Sequence, residues 1–257
     1  MTTGRNIIWA TDAYSEYGEF FQDKDPLFVK AFTGAKSMII RPRIEKSQEV
    51  QTERTKKKAE VFTPSWLCNE MNNYSDEDWF RQKDVFNVEN TDHTWTVNEN
   101  KVEFPKGKTW KDYILSNRLE ITCGEAPYLV SRYDTSTGNL ILPPLRRIGI
   151  LDRKLRVVNE NTVEESEWLK WTEKAYQSTY GYEYQGDNLL IARANMLLTF
   201  FDYYKERFNK EPEYKEVKKI AKIIAWNLWQ MDGLKDSVPL GKPYGNEQIS
   251  IFTSVNS

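Results

Sequence analysis

Apolar positions recur at helical spacing through the C-terminal half of the chain and in shorter, broken runs before it. The longest regular stretch is Gly186 to Phe208, where Leu189, Leu190, Ala192, Met196, Leu197, Phe200, Phe201 and Tyr204 predict a largely buried helix. Thr162 to Thr179 reads as an amphipathic helix carrying Trp168, Leu169, Trp171, Thr172, Ala175 and Tyr176. Thr63-Pro64 suits an N-cap followed by proline at the first helical position, which predicts a helix from Ser65 to about Tyr74. Further short helices are expected over Asp76 to Arg81, Thr109 to Asn117 and, after the break at Pro212, Lys215 to Ala221.

Extended segments punctuate these helices. Arg118 to Thr122 reads as a strand stopped by Gly124 and Pro127, and Gly181 to Tyr184 reads as another. Ile223 to Trp229 is an apolar run before the turn signal Asp232-Gly233, and Asn139 to Leu142 and Arg147 to Leu151 are two more. Asp152, Arg153 and Lys154 are expected on a hairpin after the last of these. Asp84 to Lys108 has loop and hairpin character, with alternation at Trp95 and Val97. Ser37 to Arg41 predicts a short strand. Strands alternating with helices point to an α/β fold with a mostly parallel sheet. Residues 1–48, rich in Tyr and Phe, read as an arm that packs on something else, and residues 49–257 as one domain.

Composition narrows the class. The 257 residues are 39% hydrophobic and 29% charged, which supplies one well-buried core. Mean hydropathy is −0.70, and no apolar run approaches a membrane span of ~20 residues, so a cytoplasmic protein is expected. Net charge is −2, so no global positive field advertises a polyanionic partner. Two cysteines (Cys68 and Cys123) and a single histidine (His93) argue against a disulfide framework and against a metal site.

Two segments carry chemistry. The first is Val61-Phe62-Thr63-Pro64-Ser65-Trp66-Leu67-Cys68 and the second is Leu119-Glu120-Ile121-Thr122-Cys123-Gly124-Glu125-Ala126-Pro127-Tyr128-Leu129. In this order they resemble the cofactor half of the DNA adenine (N6) methyltransferases that serve as M subunits of restriction-modification systems. The resemblance covers roughly residues 50–235. It implies a Rossmann-like fold that binds S-adenosylmethionine at the carboxyl ends of its strands. Thr63 and Pro64 would close over the methionine end, and Thr122, Cys123, Gly124, Pro127 and Tyr128 would wrap it. Ala126 stands where the family places a second glycine.

The same resemblance assigns Glu183, at the end of Gly181-Tyr182-Glu183, to the ribose hydroxyls. Asp152 competes for that role. Asp232 would contact the cofactor adenine, although Asp232-Gly233 is equally a plain turn. Arg54, Lys56, Lys57 and Lys58 would track toward DNA, or else form a solvated helix face.

One required element is missing. The family holds its extruded target adenine with an Asn/Asp-Pro-Pro-Tyr/Phe turn, and the sole Pro-Pro in this chain is Leu142-Pro143-Pro144-Leu145. The resemblance therefore implies a cofactor-binding component that another restriction-modification subunit completes. The alternatives are a catalytically inactive scaffold of a restriction or antiphage system, and a Mg²⁺-dependent nuclease. The last would use the acid-x-Lys spacing of Asp152-Arg153-Lys154 with Asp134 or Glu120 as second carboxylate.

Overall fold

The computed structural model describes residues 6–31, 33–34, 39–46, 63–233, 235 and 237–241. Its centre is a three-stranded parallel sheet in the order β3 (Arg118–Ile121), β4 (Thr179–Glu183), β5 (Leu228–Gln230). Leu119 is level with Tyr180, Glu120 with Gly181, and Glu183 with Gln230. A separate antiparallel hairpin pairs β1 (Asn87–Glu89) with β2 (Trp95–Val97). The α/β class is as the strand-helix alternation predicts. No described residues add a fourth strand to the parallel sheet.

The helices are α1 (Ser65–Phe80), α2 (Trp110–Leu115), α3 (Ile150–Asn161), α4 (Glu165–Gln177), α5 (Gly186–Phe208) and α6 (Tyr214–Asn227). Pro64 is the residue before α1 rather than its first turn, and its carbonyl accepts the Leu67 and Cys68 N–H groups. The two short helices expected between Ser65 and Arg81 are one. Asp76, the expected start of the second, instead sits buried in mid-helix, taking hydrogen bonds from Arg153 and Tyr113.

The hairpin expected around Asp152 is also corrected: these residues open α3, the helix at the centre of the molecule. Every residue from Ile150 to Val158 is buried, including four with charged side chains, Asp152, Arg153, Lys154 and Arg156. Arg153 reaches Asp76, Asn69 and Asn73, while Arg156 reaches Glu160 and the carbonyls of Phe86, Asn98 and Asn100. Buried charge is tolerated where it is paired and hydrogen-bonded.

α6 runs on through Ile223–Asn227, so only the last part of that apolar run is a strand. The change from helix to strand is fixed by Asn227, whose side-chain amide donates to the carbonyls of Tyr176, Gln177 and Thr179. The main core gathers Trp168, Tyr176, Met196, Phe200 and Tyr204 between α4 and α5, joined by Ile220 and Ile224 of α6.

The aromatic arm packs on its own domain. Trp9, Tyr14, Phe21, Leu27 and Ala31 form a second cluster, with Leu190 of α5 against it. Within the strand expected at Ser37–Arg41, the described part, residues 39–41, is a bend and coil.

Candidate cofactor crevice

β3 ends in a loop that reverses the chain within a few residues. Thr122, Gly124 and Ala126 all have left-handed backbone, with φ of 62°, 55° and 67°. The Ala126 conformation is one that glycine adopts more readily, so the loop keeps a glycine-like path at the position where the family pattern has its second glycine. The Cys123 N–H donates to Tyr182 O at 2.7 Å and carries the ladder two residues beyond the strand. Ala126 N–H then turns back onto Cys123 O, also at 2.7 Å. A Cβ placed on Gly124 would meet nothing within 4 Å, so the loop borders open space there.

Glu183 ends β4 beside this loop. Its Oε2 accepts the Gly124 N–H at 2.8 Å, and its Oε1 accepts the Gln185 N–H, just before α5, at 3.0 Å. Its own carbonyl accepts the Met231 N–H after β5. Glu183 thus ties together the exits of three adjacent strands.

A second pair of expected site residues also meets. Burial leads the causes that raise the Tyr128 hydroxyl above its ordinary value, with the nearby Thr63 side chain acting against it. Thr63 O accepts the Thr135 hydroxyl, while Tyr128 O accepts the Asn72 amide and the Ile150 N–H. Pro127 lines a narrow cleft with Ser65, Glu125 and Asn195. The cysteine thiols of Cys68 and Cys123 are both buried, and burial pushes both upward.

Asp232 follows Met231, whose N–H donates to Glu183 O, and turns the chain. Its backbone pairs with Ser237, and its carboxylate accepts the Lys235 N–H at 3.1 Å and faces Lys235 Nζ at 3.4 Å. That is a closed turn of the kind Asp232-Gly233 also signals. Arg54, Lys56, Lys57 and Lys58 lie outside the described residues.

Glu120 belongs to the crevice in a way the motifs do not reveal. Its register opposite Gly181, two residues before Glu183, puts it on the sheet face that carries Glu183. Its Oε2 is buried without a hydrogen-bond partner. Burial first, and the nearby Glu183 carboxylate second, raise its proton affinity well above the carboxylate range. Strand alternation was the available signal, since it places residues 120 and 181 together once the pairing is known.

Asp152 and Lys154 serve packing on opposite sides of α3. Asp152 Oδ2 accepts the Ser131 N–H at 2.8 Å, with Arg147 Nη1 3.9 Å from Oδ1. Lys154 Nζ donates to Ser116 O, Ser178 O and Ser178 Oγ. Among the described residues, no three His, Cys, Asp or Glu side chains converge as metal ligands.

A cavity of about 430 Å³ lies between Ile40, Pro42 and Ile44 and the α5 residues Leu190, Ala194 and Leu198. No helix among the described residues is long and apolar enough to cross a membrane. No protein-family model, curated protein or solved structure matches the chain.

Proposed function

We propose that the chain is an S-adenosylmethionine-binding component of a DNA adenine methyltransferase of a restriction-modification system, and that a partner subunit supplies the target-base site. The observation that supports this most is the hydrogen bond between Gly124, in the loop after β3, and Glu183, at the end of β4. A glycine turn and an acid at the carboxyl ends of neighbouring parallel strands form the arrangement that holds an adenosyl ligand. The buried, unpartnered Glu120 oxygen adds a polar group with no partner of its own, and its raised proton affinity makes it a neutral acid beside the Glu183 carboxylate.

In this reading Thr63, Pro64 and Tyr128 close the methionine end and Glu183 receives the ribose. Asp232 lies toward the adenine. Arg54, Lys56, Lys57 and Lys58 contribute DNA contacts. Calorimetric titration of the purified chain with S-adenosylmethionine, without DNA, tests it. Saturable binding is expected, and its absence at millimolar ligand would remove the reading.

A second reading is a catalytically silent scaffold of a restriction or antiphage system. It is favoured by the absence of an Asn/Asp-Pro-Pro-Tyr/Phe turn anywhere in the sequence. The same titration separates the two, since a scaffold returns no heat.

A further inference from the structure

The crevice is not open at both ends. Ile8 lies across the exits of β4 and β5, held by the Gln230 side chain at the end of β5. Gln230 Oε1 accepts the Ile8 N–H at 2.8 Å, and its Nε2 donates to Ile8 O at 2.7 Å and to Tyr184 O at 3.0 Å. The next residue continues the seal, because the Gly186 N–H that opens α5 donates to Trp9 O at 2.9 Å. Contact is so close that a Cβ on Gly186 would lie 2.0 Å from Ile8 O. In an adenosyl-binding sheet the ribose and base sit above the ends of these strands and beside this helix start.

The strap is anchored away from the crevice. Ile7 O accepts the Leu27 N–H at 2.7 Å, and Trp9 N–H donates to Asp25 O at 3.0 Å. The Trp9 ring is fully buried, 4.6 Å from Tyr14 and 5.3 Å from Phe21 between centroids. Tyr14 in turn donates to Asp187 Oδ2 at 2.7 Å, and Lys46 Nζ stands 3.6 Å from the same oxygen. The Trp9 ring can therefore stay in its cluster while the backbone bonds of Ile8 to Gln230 and of Trp9 O to Gly186 exchange.

Resting on the cofactor reading above, we propose that residues 7–9 are an autoinhibitory strap over the nucleoside end of the crevice, which an adenosyl ligand must displace in order to bind. The hydrogen bonds of Ile7, Ile8 and Trp9 run to Leu27, Gln230, Asp25, Phe20 and Gly186, and not to Thr63 or Tyr128. Apparent affinity for the nucleoside part is then the intrinsic affinity scaled down to the fraction of molecules with the strap open.

The test uses the full chain with S-adenosylhomocysteine, adenosine and methionine as separate probes. Ile8→Pro removes the N–H that Gln230 accepts and leaves the aromatic cluster untouched. It is expected to tighten S-adenosylhomocysteine and adenosine about tenfold, with methionine unchanged. In the unaltered protein, saturating S-adenosylhomocysteine is expected to speed hydrogen exchange at the Ile8 and Gly186 amides, and this readout stands even if the variant folds poorly. Binding of S-adenosylhomocysteine with both amides still protected would overturn the strap and leave the cofactor reading intact. No binding to either protein would remove the cofactor reading, and the strap's role with it.

Discussion

Glu183 and Gly124 stand 59 residues apart in sequence and share a hydrogen bond of 2.8 Å at the exits of neighbouring strands. Helices α3 and α4 lie between them along the chain. Their meeting requires the parallel pairing of β3 with β4, because only that register puts the loop after Ile121 beside the end of β4. The same carboxylate also accepts the Gln185 N–H, so one side chain organises the loop and the start of α5.

Replacing Glu183 is expected to act on ligand binding more than on folding. Glu183→Ala should weaken S-adenosylmethionine binding by about 1–3 kcal/mol, the scale of a lost hydrogen bond to a charged group. Glu183→Gln keeps an acceptor for one of the two backbone N–H groups and should lose less. Calorimetry on both variants checks the order, and equal affinity in all three proteins would refute the role of this acid.

The longest helix was legible from its dense apolar positions at helical spacing. α5 spans Gly186–Phe208 as its pattern predicts. α3 was not legible, because Asp152, Arg153, Lys154 and Arg156 read as solvated yet are buried, each with hydrogen-bond partners supplied by distant segments. Sequence pattern records polarity but not whether a far carbonyl will satisfy it. The boundary of β5 was blurred for a related reason: Ile223 to Leu228 is apolar throughout apart from Asn227, and the amide of Asn227 makes the break.

The turn after β3 and the place of Glu183 at the end of β4 were legible from local sequence. The seal over them was not, because Trp9 O and Gly186 N are backbone atoms, and any residue pair could make that bond. Gln230 carries no motif either, though its amide holds both polar groups of Ile8.

Glu120 gives the crevice a pH dependence. Burial and the neighbouring Glu183 raise its folded-state value above that of the unfolded chain. The proton is thus held more tightly in the fold, and this favours the folded state fully only below the ordinary carboxylate range. Stability from this group is lost as pH rises from that range through the folded value. Glu120→Gln, which cannot ionise, should therefore be more stable than the natural chain at pH 8, with the difference shrinking toward pH 5. Urea midpoints for both proteins across that interval measure it, and a difference independent of pH would rule the cause out.

Asp76 is the keystone of the charge network beneath the hairpin. It accepts Arg153 Nη1 at 2.7 Å and the Tyr113 hydroxyl at 3.0 Å, and Arg118 lies 3.6 Å away. The Arg153 side chain is only 1% exposed, so Asp76→Ala strands a guanidinium in the core. The expected loss is about 3–5 kcal/mol, the usual result of removing one partner of a buried pair. Asp76→Asn keeps an acceptor for Arg153 and should cost less. Denaturant unfolding decides the matter, since a loss under about 1 kcal/mol would mean that water already reaches the pair.

Gly186→Ala sets helix propensity against the strap. Alanine at the start of an exposed helix would ordinarily gain up to about 1 kcal/mol over glycine. Here the new methyl would sit 2.0 Å from Ile8 O and 2.8 Å from Leu27 Cδ1. Backbone cannot yield by that much in place, so the strap should lift and α5 remain. Hydrogen exchange at the Ile8 and Gly186 amides should accelerate, together with that of Leu27, which donates to Ile7 O. The far-ultraviolet helix signal should hold. If protection at all three amides survives the substitution, the strap is no more displaceable than the core beneath it.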